Sequence, residues 1–187
     1  PMKSNVKILR MNPNIFITWI FIISISMIFV SLISAYIVKK GEPGGLIINL
    51  PNMFIYSTIV VVLSSLFKQL AYFSAKKDDL NKLNIYLLAS ILLGLFFLVL
   101  QYFSWGELVN SGIYLVGHPD GSFIYVITGV HAFHLITGLV FIAMVLFKSL
   151  KLDVHSKNLN LIEMSTTYWH FLTGLWLYLY VTLYLYN

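Results

Sequence analysis

The chain has 187 residues, of which 59% are apolar and 10% charged, with a mean hydropathy of +0.84. A soluble domain keeps roughly a quarter of its residues charged, so a water-solvated globule is excluded and the solvent is a bilayer. The formal charge of +5 lies at the edges of apolar runs, which excludes a nucleic-acid footprint, and the lack of cysteine excludes disulfides, thiolate metal centres and cysteine nucleophiles.

A spanning helix needs roughly 20 apolar residues, and the sequence predicts five, forming one all-α transmembrane domain over residues 1–187. The first span covers about 14–38, after Lys3, Lys7, Arg10 and Pro13, and closes on Lys39-Lys40. Its apolar run is too long for the core of a cleavable signal, so it reads as a retained helix. Gly41-Glu42-Pro43-Gly44-Gly45 breaks it. The second span covers about 51–74, opening on Pro51 at a favoured first-turn position. It closes on Lys76-Lys77-Asp78-Asp79, and Lys68 near its inner end is expected to snorkel to the surface.

The third span covers about 83–105. A longer loop, Gly106 to Gly121, follows with Glu107, His118-Pro119-Asp120 and no Lys or Arg. The fourth span covers about 122–150 and the fifth about 159–186. Barrel strands would need short alternating segments, and these runs are long and continuously apolar. Nine basic residues (Lys3, Lys7, Arg10, Lys76, Lys77, Lys82, Lys148, Lys151, Lys157) fall on one side and Lys39 and Lys40 on the other. The excess of Lys and Arg marks the cytoplasmic face, which puts the N-terminus in the cytoplasm and the C-terminus outside.

Within the fourth span, Gly129-Val130-His131-Ala132-Phe133-His134 places two imidazoles on one helix face. Polar groups at membrane depth are costly and turn onto a partner or a cavity. At 1.5 Å per residue His131 and His134 lie about 14 to 18 Å below the outer end of their helix. His170 of the fifth span falls near the same layer. One reading has each histidine hydrogen-bonded to a neighbouring helix. The other has them ligating metal or haem, with His131 or His134 opposite His170. An HxxH pair alone is weak for zinc, which takes three or four ligands.

Glu163, about one turn inside the inner surface, reads either as a proton-relay acid or as a first-turn acid favoured by the helix dipole. Tyr168, Trp169 and Trp176 stand among further Tyr residues of the fifth span, as interfacial anchors or as rings facing protein or a lipid. Gly94, Gly129, Gly138 and Gly174 read as close-packing points between helices.

Thr128 to His134 with Gly138, then Glu163, Tyr168-Trp169-His170-Phe171, Trp176 and Tyr180, resemble the last two helices of subunit III of the haem–copper cytochrome c oxidases. Gln101, Trp105 and Gly121-Ser122-Phe123-Ile124-Tyr125 fit the intervening part, and Ser34 to Val38, Leu50-Pro51 and Ser57-Thr58 look like those of short bacterial members. The resemblance covers nearly the whole chain and corresponds to the last five of the seven helices in the family's long form. Two departures are visible: Ser24 to Phe29 lacks the acid that members often carry there, and Leu172-Thr173-Gly174 stands where an aspartate is common. Both point to a structural role.

The resemblance implies an accessory subunit of a respiratory terminal oxidase, with haem and copper held by partner subunits I and II. It implies bound phospholipid between the helices, support of oxygen access and stability, and a place in the bacterial cytoplasmic membrane. The electron donor and membership of a larger respiratory assembly are left open. The same fold in a quinol oxidase or nitric oxide reductase complex, and an independent b-haem protein using His131, His134 and His170, are the alternatives. A transporter is disfavoured, because the chain shows neither matching halves nor a Gly/Pro-broken span at mid-membrane.

Overall fold

The computed structural model describes residues 13–43, 50–151 and 159–186, the side chain of Asn14 excepted. Lys3, Lys7, Arg10 and Lys157 of the charge count, and Gly44 and Gly45, lie outside the described residues. Five α-helices follow one another: α1 (Pro13–Lys40), α2 (Met53–Lys76), α3 (Leu80–Asn110), α4 (Pro119–Leu150) and α5 (Asn160–Leu185). Among the described residues, α1 through α4 are long and apolar enough to cross a membrane. Their outward faces remain apolar, as with Ile17, Phe21, Leu92 and Phe133, because lipid imposes no penalty on exposed hydrocarbon. The sequence-based count of five reaches α5 as a helix, but its Tyr, Thr and Trp residues dilute its hydropathy and it is not among those four.

The segment between α3 and α4 is shorter than the sequence suggests. Helix α3 runs five residues past Trp105, and α4 begins at Pro119 rather than Ser122. Proline suits a first helical position because its missing N–H would be unpaired there anyway, and His118 before it takes the extended backbone that a following proline favours. Gly106 does not break α3. Its Cβ position meets open space, so it lies on the helix surface, where a glycine costs about 1 kcal/mol of propensity.

Helices α2 and α3 form a tight antiparallel pair with a seam of period 3.5. Buried positions on α2 are Phe54, Ser57, Val61, Ser64, Lys68, Ala71, Ser74 and Ala75. Those on α3 are Leu83, Leu87, Ser90, Gly94, Phe97, Gln101, Ser104 and Leu108. An alternation of three and four residues keeps one stripe facing a partner helix, and small side chains let the two backbones approach. Ser64 Oγ donates to the Ser90 carbonyl at 2.9 Å and Ser90 Oγ donates back to the Ser64 carbonyl at 3.2 Å. Each hydroxyl so satisfied removes a polar group from hydrocarbon.

Helix α5 packs against α1, α2 and α4, while α4 also meets α1 and α3. With protein on three sides, α5 accommodates polar aromatics and threonines that a lipid-facing helix would expose at a cost.

Candidate functional site

The residues singled out in the sequence converge on α4 and α5, but they do not form one site. His131 is fully buried in a cage of rings. Trp176 lies 5.0 Å away between ring centroids, Phe97 6.0 Å and Phe29 6.3 Å. Neither of its ring nitrogens has a hydrogen-bond partner among the described residues. Trp176 is held in turn: its indole N–H donates to Thr58 Oγ1 on α2 at 3.0 Å.

His134 is half-buried, and its Nδ1–H donates to the Val130 carbonyl of its own helix at 2.8 Å. Phe29 packs edge-on against it. Tyr168 Oη lies 2.9 Å from Thr137 Oγ1, whose hydroxyl donates to the His134 carbonyl. This chain of hydroxyls ties α5 to α4.

His170 turns the other way, toward α2. Ser65 Oγ donates to its Nδ1 at 2.5 Å, and its Nε2–H donates to Gln69 Oε1 at 2.8 Å. Both ring nitrogens are therefore engaged across a helix interface, in the neutral tautomer that carries the proton on Nε2. The three histidines do not share a layer as the depth estimate suggests. His131 is level with Trp176, six residues beyond His170, a displacement of about 9 Å along α5 at 1.5 Å per residue. Depth counted along one helix does not include the crossing angle or the offset between neighbouring helices.

This arrangement does not suit a haem slung between the two helices. His170 has both nitrogens committed, and His131 is walled off by Phe29, Phe97 and Trp176. No group of three or more metal-ligating side chains occurs among the described residues. Glu163 stands exposed in the first turn of α5, seven residues or about 10 Å from His170 along the axis.

Trp169 is fully buried and acts as a wedge in the bundle. Its ring lies between two glycines on different helices. A Cβ on Gly94 of α3 would come within 2.9 Å of the ring, and one on Gly138 of α4 within 3.1 Å. Both glycines are close-packing points. Gly129 and Gly174 are not: the first has Trp105 at an ordinary 4.0 Å and the second has nothing near.

Two features escaped the sequence reading. Lys68 does not snorkel. It sits wholly buried in the α2–α3 seam with its Nζ unpartnered among the described residues. The 3.5-residue spacing from Ser64 and Val61 was the available signal, since it points the side chain at α3 and away from lipid. The second feature is the joint around Trp105, whose indole N–H donates to Thr128 Oγ1 at 3.0 Å. Tyr125 Oη donates to the Ile113 carbonyl at 2.9 Å. Gln101, one turn earlier on α3, is buried with its amide unpartnered among the described residues. The resemblance marks Gln101, Trp105 and Tyr125, but not that Trp105 and Tyr125 pin the α3–α4 connection.

Because His170 joins α5 to α2, His170→Leu strands Ser65 and the Gln69 carbonyl. Intramembrane hydrogen bonds average about 0.6 kcal/mol and reach about 1.7, so the loss is expected to be about 1–2 kcal/mol. His131→Leu removes two unpartnered nitrogens from an apolar cage and is expected to leave stability unchanged or slightly raised. Unfolding midpoints of the two variants in detergent check this; equal losses would contradict the assignment of partners.

Long apolar helices, with polar side chains tucked inside and several of them joined across helix interfaces, define a multi-pass membrane protein. The chain belongs to the cytochrome c oxidase subunit III family, whose model matches residues 14–187. It is 26% identical over 172 residues to cytochrome c oxidase subunit 3 of Bacillus sp. (strain PS3), covering 89% of this chain and 83% of that one. It is 36% identical over 131 residues to the rat protein of the same name, covering 68% of this chain but 48% of that protein, so it spans about half the length of that relative. It is also 28% identical to cytochrome bo(3) ubiquinol oxidase subunit 3 of Buchnera aphidicola, over 93% of this chain and 94% of the other.

Proposed function

We propose that this chain is an accessory subunit of a respiratory terminal oxidase, packing on the catalytic subunit I beside subunit II, with haem and copper in those partners. The observation that carries this reading is the family match running from residue 14 to 187. The interior supports it: among the described residues, His170 is engaged by Ser65 and Gln69 of α2 and His131 is enclosed by rings, so neither is presented to an iron. The five helices form one transmembrane unit. In this reading α5 spans too, with its polar aromatics sheltered by α1, α2 and α4. The nine-to-two bias of basic residues favours an N-terminus in the cytoplasm and a C-terminus outside. The bacterial cytoplasmic membrane suits the length shared with the Bacillus relative.

A groove of about 220 Å³ between Ile17, Thr18 and Phe21 of α1, Thr137 and Phe141 of α4 and Tyr168 of α5 supports the role in holding lipid. It is lined mostly by hydrocarbon, with the side chains of Thr18, Thr137 and Tyr168 among it, and suits an acyl chain. Trp169, His170, Trp176, His131 and His134 then serve as packing and joining residues, and Glu163 as an acid at the start of α5.

The test is to isolate the tagged chain in mild detergent and identify what accompanies it. An oxidase subunit I with its haems is the expected companion. A Soret band bound stoichiometrically to this chain alone would overturn the reading in favour of a b-haem protein. Deleting the chain is expected to leave haem per oxidase unchanged while shortening the number of turnovers before inactivation. Haem loss in parallel would count against it. The Buchnera relative supports a second reading, the equivalent subunit of a quinol oxidase. Oxidation of ubiquinol rather than cytochrome c by the copurified complex would select that one.

A further inference from the structure

The turn between α2 and α3 carries a cavity of about 500 Å³ lined by Leu70, Phe73, Ser74 and Tyr86 together with Lys76, Lys77, Asp79 and Lys82. We propose that this cavity binds the phosphodiester headgroup of an anionic phospholipid, whose acyl chain lies down the exposed faces of Leu70 and Phe73. The site is distinct from the apolar groove between α1, α4 and α5, and it rests on the reading above in which α2 and α3 cross a bilayer with their turn on the cytoplasmic side.

Local backbone geometry builds the cationic wall. Helix α2 ends at Lys76, and Asp78 takes a left-handed backbone with φ of +54°, turning the chain within three residues. Asp79 caps α3: its carboxylate accepts the Lys82 backbone N–H at 3.2 Å and pairs with Lys82 Nζ at 2.8 Å. Those hydrogen bonds from Lys82 hold the Asp79 carboxyl below the usual carboxylate range, so it stays ionised at neutral pH. Its charge is thus spent on Lys82. Asp78 lies in the turn but is not among the cavity walls. The walls present three ammonium groups to one carboxylate, and both Lys76 and Lys77 are exposed. Lys76 Nζ is set 4.6 Å above the Tyr72 ring, which steadies a cation at the rim.

Charge alone would suit a free phosphate equally well. The hydrocarbon side decides for lipid: Leu70 is 43% exposed and Phe73 49%, directly below the lysines along α2. Basic pockets between helices at the cytoplasmic surface recognise anionic headgroups in this way, through charge at the rim and acyl contact beneath.

The test uses the full chain with its partners, extracted into mild detergent and offered dioleoylphosphatidylglycerol or dioleoylphosphatidylcholine, with retained lipid counted by native mass spectrometry. Phosphatidylglycerol is expected to be kept in preference. K76Q/K77Q, at two exposed positions, is expected to weaken its retention by about fivefold per lysine, while K76R/K77R restores it. Helical circular dichroism confirms that the variants remain folded. Equal retention of the two lipids, or K76Q/K77Q matching the parent, would overturn the proposal. Displacement of the lipid by equimolar inorganic phosphate would overturn it too, by showing a site for a free anion. None of these outcomes depends on which oxidase the chain accompanies.

Discussion

Trp169→Ala is expected to be among the most damaging single substitutions in this chain, lowering stability by about 3–5 kcal/mol. The indole is fully buried, and it fills a slot formed by the bare backbones of Gly94 and Gly138 on two other helices. In a bilayer little is gained by moving apolar surface from lipid to protein, so packing contacts carry the association. Removing the ring leaves a cavity at the meeting point of three helices, with no side chain from either glycine to fill it. The slot predicts a coupling as well. A methyl on Gly94 would lie 2.7 Å from Leu139 Cδ2 and 2.9 Å from the ring, so Gly94→Ala alone is expected to cost about 1–3 kcal/mol by overpacking. In a chain already lacking the indole much of that cost should vanish, because contacting residues are not additive. Unfolding in mixed detergent, followed by circular dichroism, reads all three variants. A Gly94→Ala penalty that is the same with and without Trp169 would contradict the wedge.

Lys68→Met is expected to act in the opposite direction, raising stability by about 2 kcal/mol. Lys68 is completely buried in the α2–α3 seam, and its Nζ has no hydrogen-bond partner among the described residues. An amine without a partner in low dielectric either holds a costly charge or gives up its proton, and both lower the stability of the folded state. Methionine has a similar length and adapts to irregular gaps, so it keeps the packing and removes the polar atom. A higher unfolding midpoint with unchanged helix content is the expected result. A marked loss would contradict the assignment of an unpartnered amine.

Much of this architecture is legible one residue at a time. Five helices lie where the apolar runs do, with boundaries shifted by a few residues at α3 and α4 because Gly106 is tolerated on a helix surface and Pro119 opens one. The family is legible as well, since the pattern from Thr128 to Tyr180 is carried by residue types at fixed spacing and the family match covers it. The site was less accessible. Spacing of three residues put His131 and His134 on neighbouring positions of one helix, yet one faces a cage of rings and the other its own helix carbonyl. Nothing local distinguishes them, because the difference lies in which helix stands opposite. Lys68 shows the same limit: its distance from the helix end suggested snorkelling, whereas its rotation places it inside the seam.

The amino-acid order by itself therefore determined the solvent, the helices and the family, since these depend on composition and on spacing along one chain. The partners of the histidines, the glycine slot around Trp169 and the burial of Lys68 were decided only when the helices packed. Each depends on the rotation and offset of one helix against another, and those are set by the combined fit of many side chains rather than by any short stretch.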